Sequence, residues 1–501
     1  MTCSGFHYFN GVCSLAPVSC AGRFLQFGDF WPAAVRLSST SKSSSNDNDI
    51  SYLTPTLARV KEELHQTKLT DQQSRTTSSN SSTNSYPSVK INQHDAQAVL
   101  IDGLVASKLG LDPYQNFRHA PMVYHEHYSC PNWPEKHTFP MEKFHQSAMS
   151  LLHDPDEYYL DENNGNDHRG DETIEKEPRR QLVVSQDHFY RPLPMEIFPK
   201  SFLSPPICPK FLQSFLTGTL SAEDCRLIGF REQASRPELI ERTVLEVAGT
   251  VLTAQLAMKY GLASNLAGGT HHAEWNRGKG YTILNDLAVV AHLMTWREDD
   301  NSDEVEATYD NNLLRELYRG EGVVDRVLVV DCDVHQGDGT ATFSKPVMDT
   351  TTSSRANRLH NKFFTLDLHA ANNYPHPKET CTYDIGLHDG CDDATYLFAL
   401  ENSLEKALRE VRPQLVLYNA GVDVYEGDKL GRLSLTKEGI RERDYHVIKT
   451  CVDAGIPIAV VVGGGYDNDV KELGKRHALV HRVCAVERDA TSDARFSEFR
   501  F

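Results

Sequence analysis

Short apolar runs rich in β-branched residues recur through the carboxyl-terminal half of the chain, at Val327–Val330, Phe363–Leu368, Leu415–Tyr418 and Ile458–Val462. Each is too short for a helix and apolar on both faces, the pattern of a buried strand in a parallel sheet. Helix-like patterns lie between some of them, at Asp393–Arg409 and Thr436–Ala454. Strands alternating with helices predict an α/β fold with a central parallel sheet. Such sheets bind their ligands at the carboxyl ends of the strands, so the chemistry is expected in the segments that leave these runs.

Upstream the pattern changes. Globular texture begins near His119, and the stretch Gln72–Ser88 is mostly Ser, Thr, Asn and Gln. It cannot bury enough apolar surface to fold, so residues 46–118 read as linker, with a short helix near Thr56–Gln66. Residues 1–45 are Ser-rich, carry Arg23, Arg36 and Lys42, and hold one acid, Asp29. That composition suits an organelle transit peptide or a plain disordered tail. The first would send the protein to a mitochondrion or plastid, and the second would leave it in nucleus or cytoplasm. A reporter fused to residues 1–45 separates the two. Acidic segments at Asp154–Glu177 and Glu298–Asp310 read as solvated insertions, and residues 486–501 as a tail. The catalytic unit is thus expected over 119–485.

Composition narrows the partners. With 501 residues, 40% of them hydrophobic, the chain can build a sizeable core. No apolar run is long enough to span a membrane. A formal charge of -18 disfavours general binding to nucleic acid or anionic membranes and suits cationic substrates such as lysine-rich tails or polyamines. The eleven cysteines form no CxxC pair, so any metal must be held by His and carboxylates.

The run at Val327–Val330 continues into Asp331, Asp333, His335, Gly337 and Asp338. Alternation along a strand puts Asp331, Asp333 and His335 on one side, where burial without a cation would be costly. Carboxylate oxygen and imidazole nitrogen two residues apart suit Zn²⁺. Asp423, after the run ending at Tyr418, could complete three protein ligands with a fourth position open, as in catalytic rather than structural zinc sites. His271 and His272 follow a glycine pair and suit proton transfer, with Asp331 and Asp338 available to fix their tautomers. Tyr466 ends a glycine run, where its hydroxyl could donate to a polarised carbonyl.

These segments resemble the histone deacetylase family. The matching motifs are GGTHHA at 268–273, GYTILND at 280–286, VDCDVHQGDGT at 330–340, NAGVDV at 419–424 and GGGY at 463–466. LHAANNYPHPKE at 368–379 and GDKLGRLSLTKEGIRERD at 427–444 look most like its class IV branch. The resemblance implies a three-layer arginase/deacetylase-like fold and a hydrolase that removes acyl groups, acetyl above all, from acyl-lysine of histones or other proteins. It implies that Asp333, His335 and Asp423 hold one Zn²⁺. His271 and His272 would shuttle protons, supported by Asp331 and Asp338, and Tyr466 would polarise the carbonyl. Gly280, Tyr281 and Tyr374 match the substrate channel, and Asp331 with Asp367 a monovalent cation site, K⁺ as a structural ion. Three departures stand out: Asp367 replaces a common serine, Asp338 stands where class IV members often carry Asn, and the amino-terminal loop acid that grips the substrate backbone in some relatives is absent from Pro205–Pro209.

Three rivals remain at this point. An acetylpolyamine or long-chain acyl-lysine amidohydrolase would share the scaffold. A two-manganese ureohydrolase would need a carboxylate at position 337, which is Gly. A catalytically silent recruitment module would be expected to have lost a ligand or Tyr466, and every matched position is filled.

Overall fold

The computed structural model describes residues 120–154, 189–195, 198, 200–204, 206–295, 324–345 and 359–491. All of them belong to the unit Ser85–Phe501. The transit-peptide reading of 1–45, the linker and short helix of 46–118 and nearly all of both acidic segments lie outside the described residues.

In chain order the elements are β1 (Met122–Val123), α1 (Lys143–His153), β2 (Phe189–Tyr190), α2 (Pro209–Leu216), α3 (Ala222–Ile228) and α4 (Pro237–Tyr260). There follow β3 (Leu262–Asn265), α5 (Asp286–Thr295), β4 (Val327–Asp331), α6 (Asp338–Phe343), β5 (Phe363–Ala370) and β6 (Tyr383–Leu387). The described chain ends with α7 (Asp393–Val411), β7 (Leu415–Asn419), α8 (Lys437–Asp453), β8 (Ile458–Val461) and α9 (Val470–Thr491). Helix α9 therefore runs past residue 485, where the tail was expected to begin. The helices read from pattern start on side-chain caps: Asp392 accepts from Thr395 N–H, and Thr436 from Gly439 N–H.

The strands form one sheet in the order β2-β1-β3-β8-β7-β4-β5-β6. Every pair in it is parallel. Both faces are covered, which is why the central strands are apolar throughout. Val327 and Val329 of β4 join one core cluster, while Leu328 and Val330 join the other. Sheet between two helical layers is the expected three-layer α/β fold. Four neighbouring strands, β3, β8, β7 and β4, lead into the segments holding the two histidines, the glycine run, Asp423 and the Asp333–His335 pair. Parallel pairing brings all four exits to one edge of the sheet.

No helix among the described residues is long and apolar enough to cross a membrane. The eight described cysteines are all free thiols.

Candidate active site

The loop after β3 is held open by its own sequence. Gly268 and Gly269 adopt positive φ of 89° and 83°. The Asp286 carboxylate, at the start of α5, accepts the N–H groups of Gly269 and Thr270 at 3.0 and 2.8 Å. It also accepts the hydroxyls of Thr250 and Thr270. Asn285 donates to Ala273 O at 3.0 Å. The GYTILND segment thus anchors the loop that presents His271 and His272, whose rings sit 4.2 Å apart.

Each buried histidine turns Nδ1 to a carboxylate. His271 meets Asp331 Oδ2 at 2.8 Å, and His272 meets Asp338 Oδ1 at 2.8 Å. The two dyads differ electrically. Burial works against a charged His271, but Asp331 and then Asp333 outweigh it and hold the imidazole up at about 10. His272 is driven down to about 3, by burial and then by the neighbouring His271, with Asp338 offsetting only part. The two histidines are thus drawn in opposite directions, His271 toward its charged form and His272 toward its neutral form.

Beside them, the donor atoms of Asp333, His335 and Asp423 all lie within 4.8 Å of one another, and all three side chains are buried. His335 Nδ1 faces Asp333 Oδ1 at 3.2 Å and Asp423 Oδ2 at 3.1 Å. Main-chain N–H groups orient the carboxylates: Gly464 donates to Asp333 Oδ2 at 2.6 Å and Val334 to Asp423 Oδ1 at 2.8 Å. Two buried carboxylates around one imidazole nitrogen are a costly arrangement that a divalent cation would relieve. Two oxygens and a nitrogen fit zinc, so the residues suit the ion expected of them. A Cβ on Gly464 would lie 2.2 Å from Asp423 Oδ2, which restricts that position to glycine.

Tyr466 closes the group. Its ring stands 6.3 Å from that of His335 and 6.1 Å from that of Tyr281. Burial, followed by the charges of Asp423 and Asp333, pushes the phenol well above its ordinary range. It remains a neutral donor at any working pH. Tyr374, 39% exposed, stacks edge-on against His272 at 4.9 Å and forms the open rim. Tyr281 holds a φ of +64° in the turn after Gly280 and bonds Thr138 through its hydroxyl at 2.6 Å. Asp367 lies beside Asp331 in register, with its oxygens meeting Gly337 N–H at 2.8 Å and His369 Nδ1 at 2.7 Å.

Comparison with known proteins decides the family. The Histone deacetylase domain matches residues 118–305 and 313–481, more than half of the chain. The chain belongs to the histone deacetylase family. An uncharacterized protein of Picosynechococcus sp. is 36% identical over 72% of this chain and 97% of its own length. Histone deacetylase 2 of Arabidopsis thaliana is 30% identical over 46% of this chain, which spans about half (51%) of that relative. The solved acetylpolyamine aminohydrolase of Burkholderia pseudomallei aligns with a TM-score of 0.45 at 14% identity, covering 73% of this chain and 98% of its own. The family gives an arginase/deacetylase fold and an enzyme of the deacetylase or amidohydrolase kind.

Three residues of this histone deacetylase domain escaped the sequence reading. Lys143 of α1 is fully buried and donates to Gly463 O at 2.9 Å, 5.8 Å from the Tyr466 ring centre. Burial draws its ammonium down to about 8. Asp428 accepts the N–H of Tyr466 at 2.6 Å and those of Leu430 and Gly431, fixing the backbone of the tyrosine. Arg443 of α8, also buried, donates to Cys332 O at 3.1 Å and Gly421 O at 2.6 Å, and pairs with buried Asp444. It ties together the exits of β4 and β7 that carry the metal-type side chains. Arg443→Met would leave Asp444 uncompensated, so unfolding free energy should fall by about 3–5 kcal/mol in denaturant titration. An unchanged midpoint would remove this bracing role.

Proposed function

We propose that this chain is a zinc-dependent hydrolase that removes acyl groups, acetyl foremost, from the Nε of acyl-lysine in histones or other proteins. The carrying observation is the buried Asp333–His335–Asp423 group with two His–Asp dyads and Tyr466 beside it. Zinc held by Asp333, His335 and Asp423 would polarise the acyl carbonyl and acidify water. Tyr466 donates a hydrogen bond to the carbonyl oxygen, most strongly as negative charge develops there. His272, neutral and held by Asp338 through Nδ1, takes the proton of the attacking water. It then passes that proton to the nitrogen of the departing amine as the C–N bond breaks. His271, drawn toward its charged form by Asp331, stabilises the oxyanion alongside. Tyr281, Tyr374 and the backbone of Gly280 form the walls that receive the acyl-lysine chain. The reading also includes a potassium ion beside Asp331 and Asp367, and assignment to the class IV branch.

The test is a panel of acetyl-lysine, myristoyl-lysine and acetylpolyamine substrates, run with and without chelator. We expect turnover of acetyl-lysine peptides that chelator abolishes and added zinc restores. Preference for polyamine or long-chain substrates would overturn the acetyl-lysine assignment and keep the amidohydrolase. Zinc binding with no hydrolysis of any acyl-amine would leave a recruitment module.

A further inference from the structure

Asp338 serves two partners at once. Its Oδ1 meets His272 Nδ1 at 2.8 Å, and its Oδ2 accepts from Lys279 Nζ at 2.5 Å. Lys279 also pairs with Glu274 across a short turn. The main chain of that turn is fixed, since Lys279 O accepts Thr282 N–H at 3.0 Å. Between those residues lie Gly280 and Tyr281 of the channel wall. The inner dyad is braced differently: Asp331 Oδ1 accepts from the Asn419 amide at 2.9 Å and from Asp333 N–H at 3.2 Å.

We infer that Lys279 is a positioning residue for the outer dyad, locking the Asp338 carboxylate and, through it, the ring of His272. A carboxylate with one partner can rotate about its last bond and carry the imidazole with it. Held at both oxygens, it cannot. Lys279 also supplies the counter-charge that a carboxylate only 5% exposed requires beside a neutral imidazole. The turn carrying Gly280 and Tyr281 is held separately, by main-chain bonds from Gly280 N–H to Leu227 O, Tyr281 N–H to Ile228 O and Thr282 N–H to Lys279 O. Small displacements of a proton-transferring group have large effects on rate. Lys279 touches neither the substrate carbonyl nor the metal-type residues, so its loss should leave substrate and metal affinity alone.

This inference rests on the proposed amide hydrolysis, and its test separates the two. The zinc-loaded full chain is compared with Lys279→Met and Lys279→Arg on an Nε-acetyl-lysine peptide, with zinc content and thermal midpoint measured on each sample. Lys279→Met should lower kcat about 10- to 100-fold, the usual effect of losing an outer partner of an active-site group. KM should stay near wild type, and Lys279→Arg should recover most of the turnover. An unchanged kcat, a loss shared by kcat and KM, or failure of arginine to rescue would overturn the positioning role. Should Lys279→Met lose thermal stability, Glu274→Gln, which loosens the lysine in place, must show the same kcat-only loss. Absence of any wild-type amide hydrolysis would instead overturn the functional reading and this inference together.

Discussion

Tyr466→Phe should lower turnover on an acetyl-lysine peptide by about 10²- to 10³-fold while leaving zinc content and thermal midpoint near wild type. The substitution removes one hydroxyl and nothing that positions the ring. Asp428 holds the main-chain N–H of Tyr466, and Lys143, His335 and Tyr281 surround its aromatic face. The lost donor would have acted on developing negative charge, so the ground state should lose little and KM should move much less than kcat. Burial keeps the phenol protonated, so the deficit should be independent of pH across the working range. Turnover and bound zinc are to be measured in the same sample. Nearly full turnover in the variant would remove Tyr466 from the mechanism. Loss of zinc alongside activity would assign it to metal retention instead.

The parts of this site that could be read from sequence are those that local geometry writes into short segments. Asp333 and His335 are two apart on a strand exit, and β4 and β7 are short apolar runs because the sheet buries both their faces. Strand boundaries fell within two residues of those read from pattern. The rest of the sheet was silent: β1 and β2 have two residues each, too few for any periodicity, β3 is only Leu-Ala-Ser-Asn, and β6 alternates in exposure. Lys143, 320 residues from Gly463, carries no local sign of burial, because a lysine is ordinarily a solvated residue. Arg443 looks like one charge of a polar helix face until α8 packs it against the carbonyls of Cys332 and Gly421. Lys279 carries no local sign of its role, since its pairing with Asp338 spans 59 residues. Motifs disclose which groups do chemistry. The groups that hold them still are scattered, and only packing reveals them.

Asp423→Ala should abolish stoichiometric zinc binding and, with it, hydrolysis. Removing one of three ligands should weaken the ion by more than the 10- to 100-fold seen when only an outer partner is lost. A catalytic zinc typically lowers the barrier by several kcal/mol, so turnover should fall by at least roughly 10³-fold. The stability response is the sharper discriminator. Without a cation, burial and the nearby Asp333 charge raise the Asp423 carboxyl, so the carboxylate sits there at a cost. Deleting it relieves that repulsion, although it also frees Val334 N–H from its 2.8 Å bond and takes one of the two carboxylates from His335 Nδ1. The metal-free variant should therefore melt close to metal-free wild type. Added zinc should separate them: at 100-fold over its dissociation constant a ligand stabilises the folded state by about 2.7 kcal/mol, and only wild type can collect it. Thermal scans of both proteins with chelator and with zinc, beside elemental analysis, make the measurement. Wild type should hold one ion per chain. Two tightly held metals in wild type, or a zinc-dependent rise in the melting of Asp423→Ala equal to that of wild type, would defeat the three-ligand assignment.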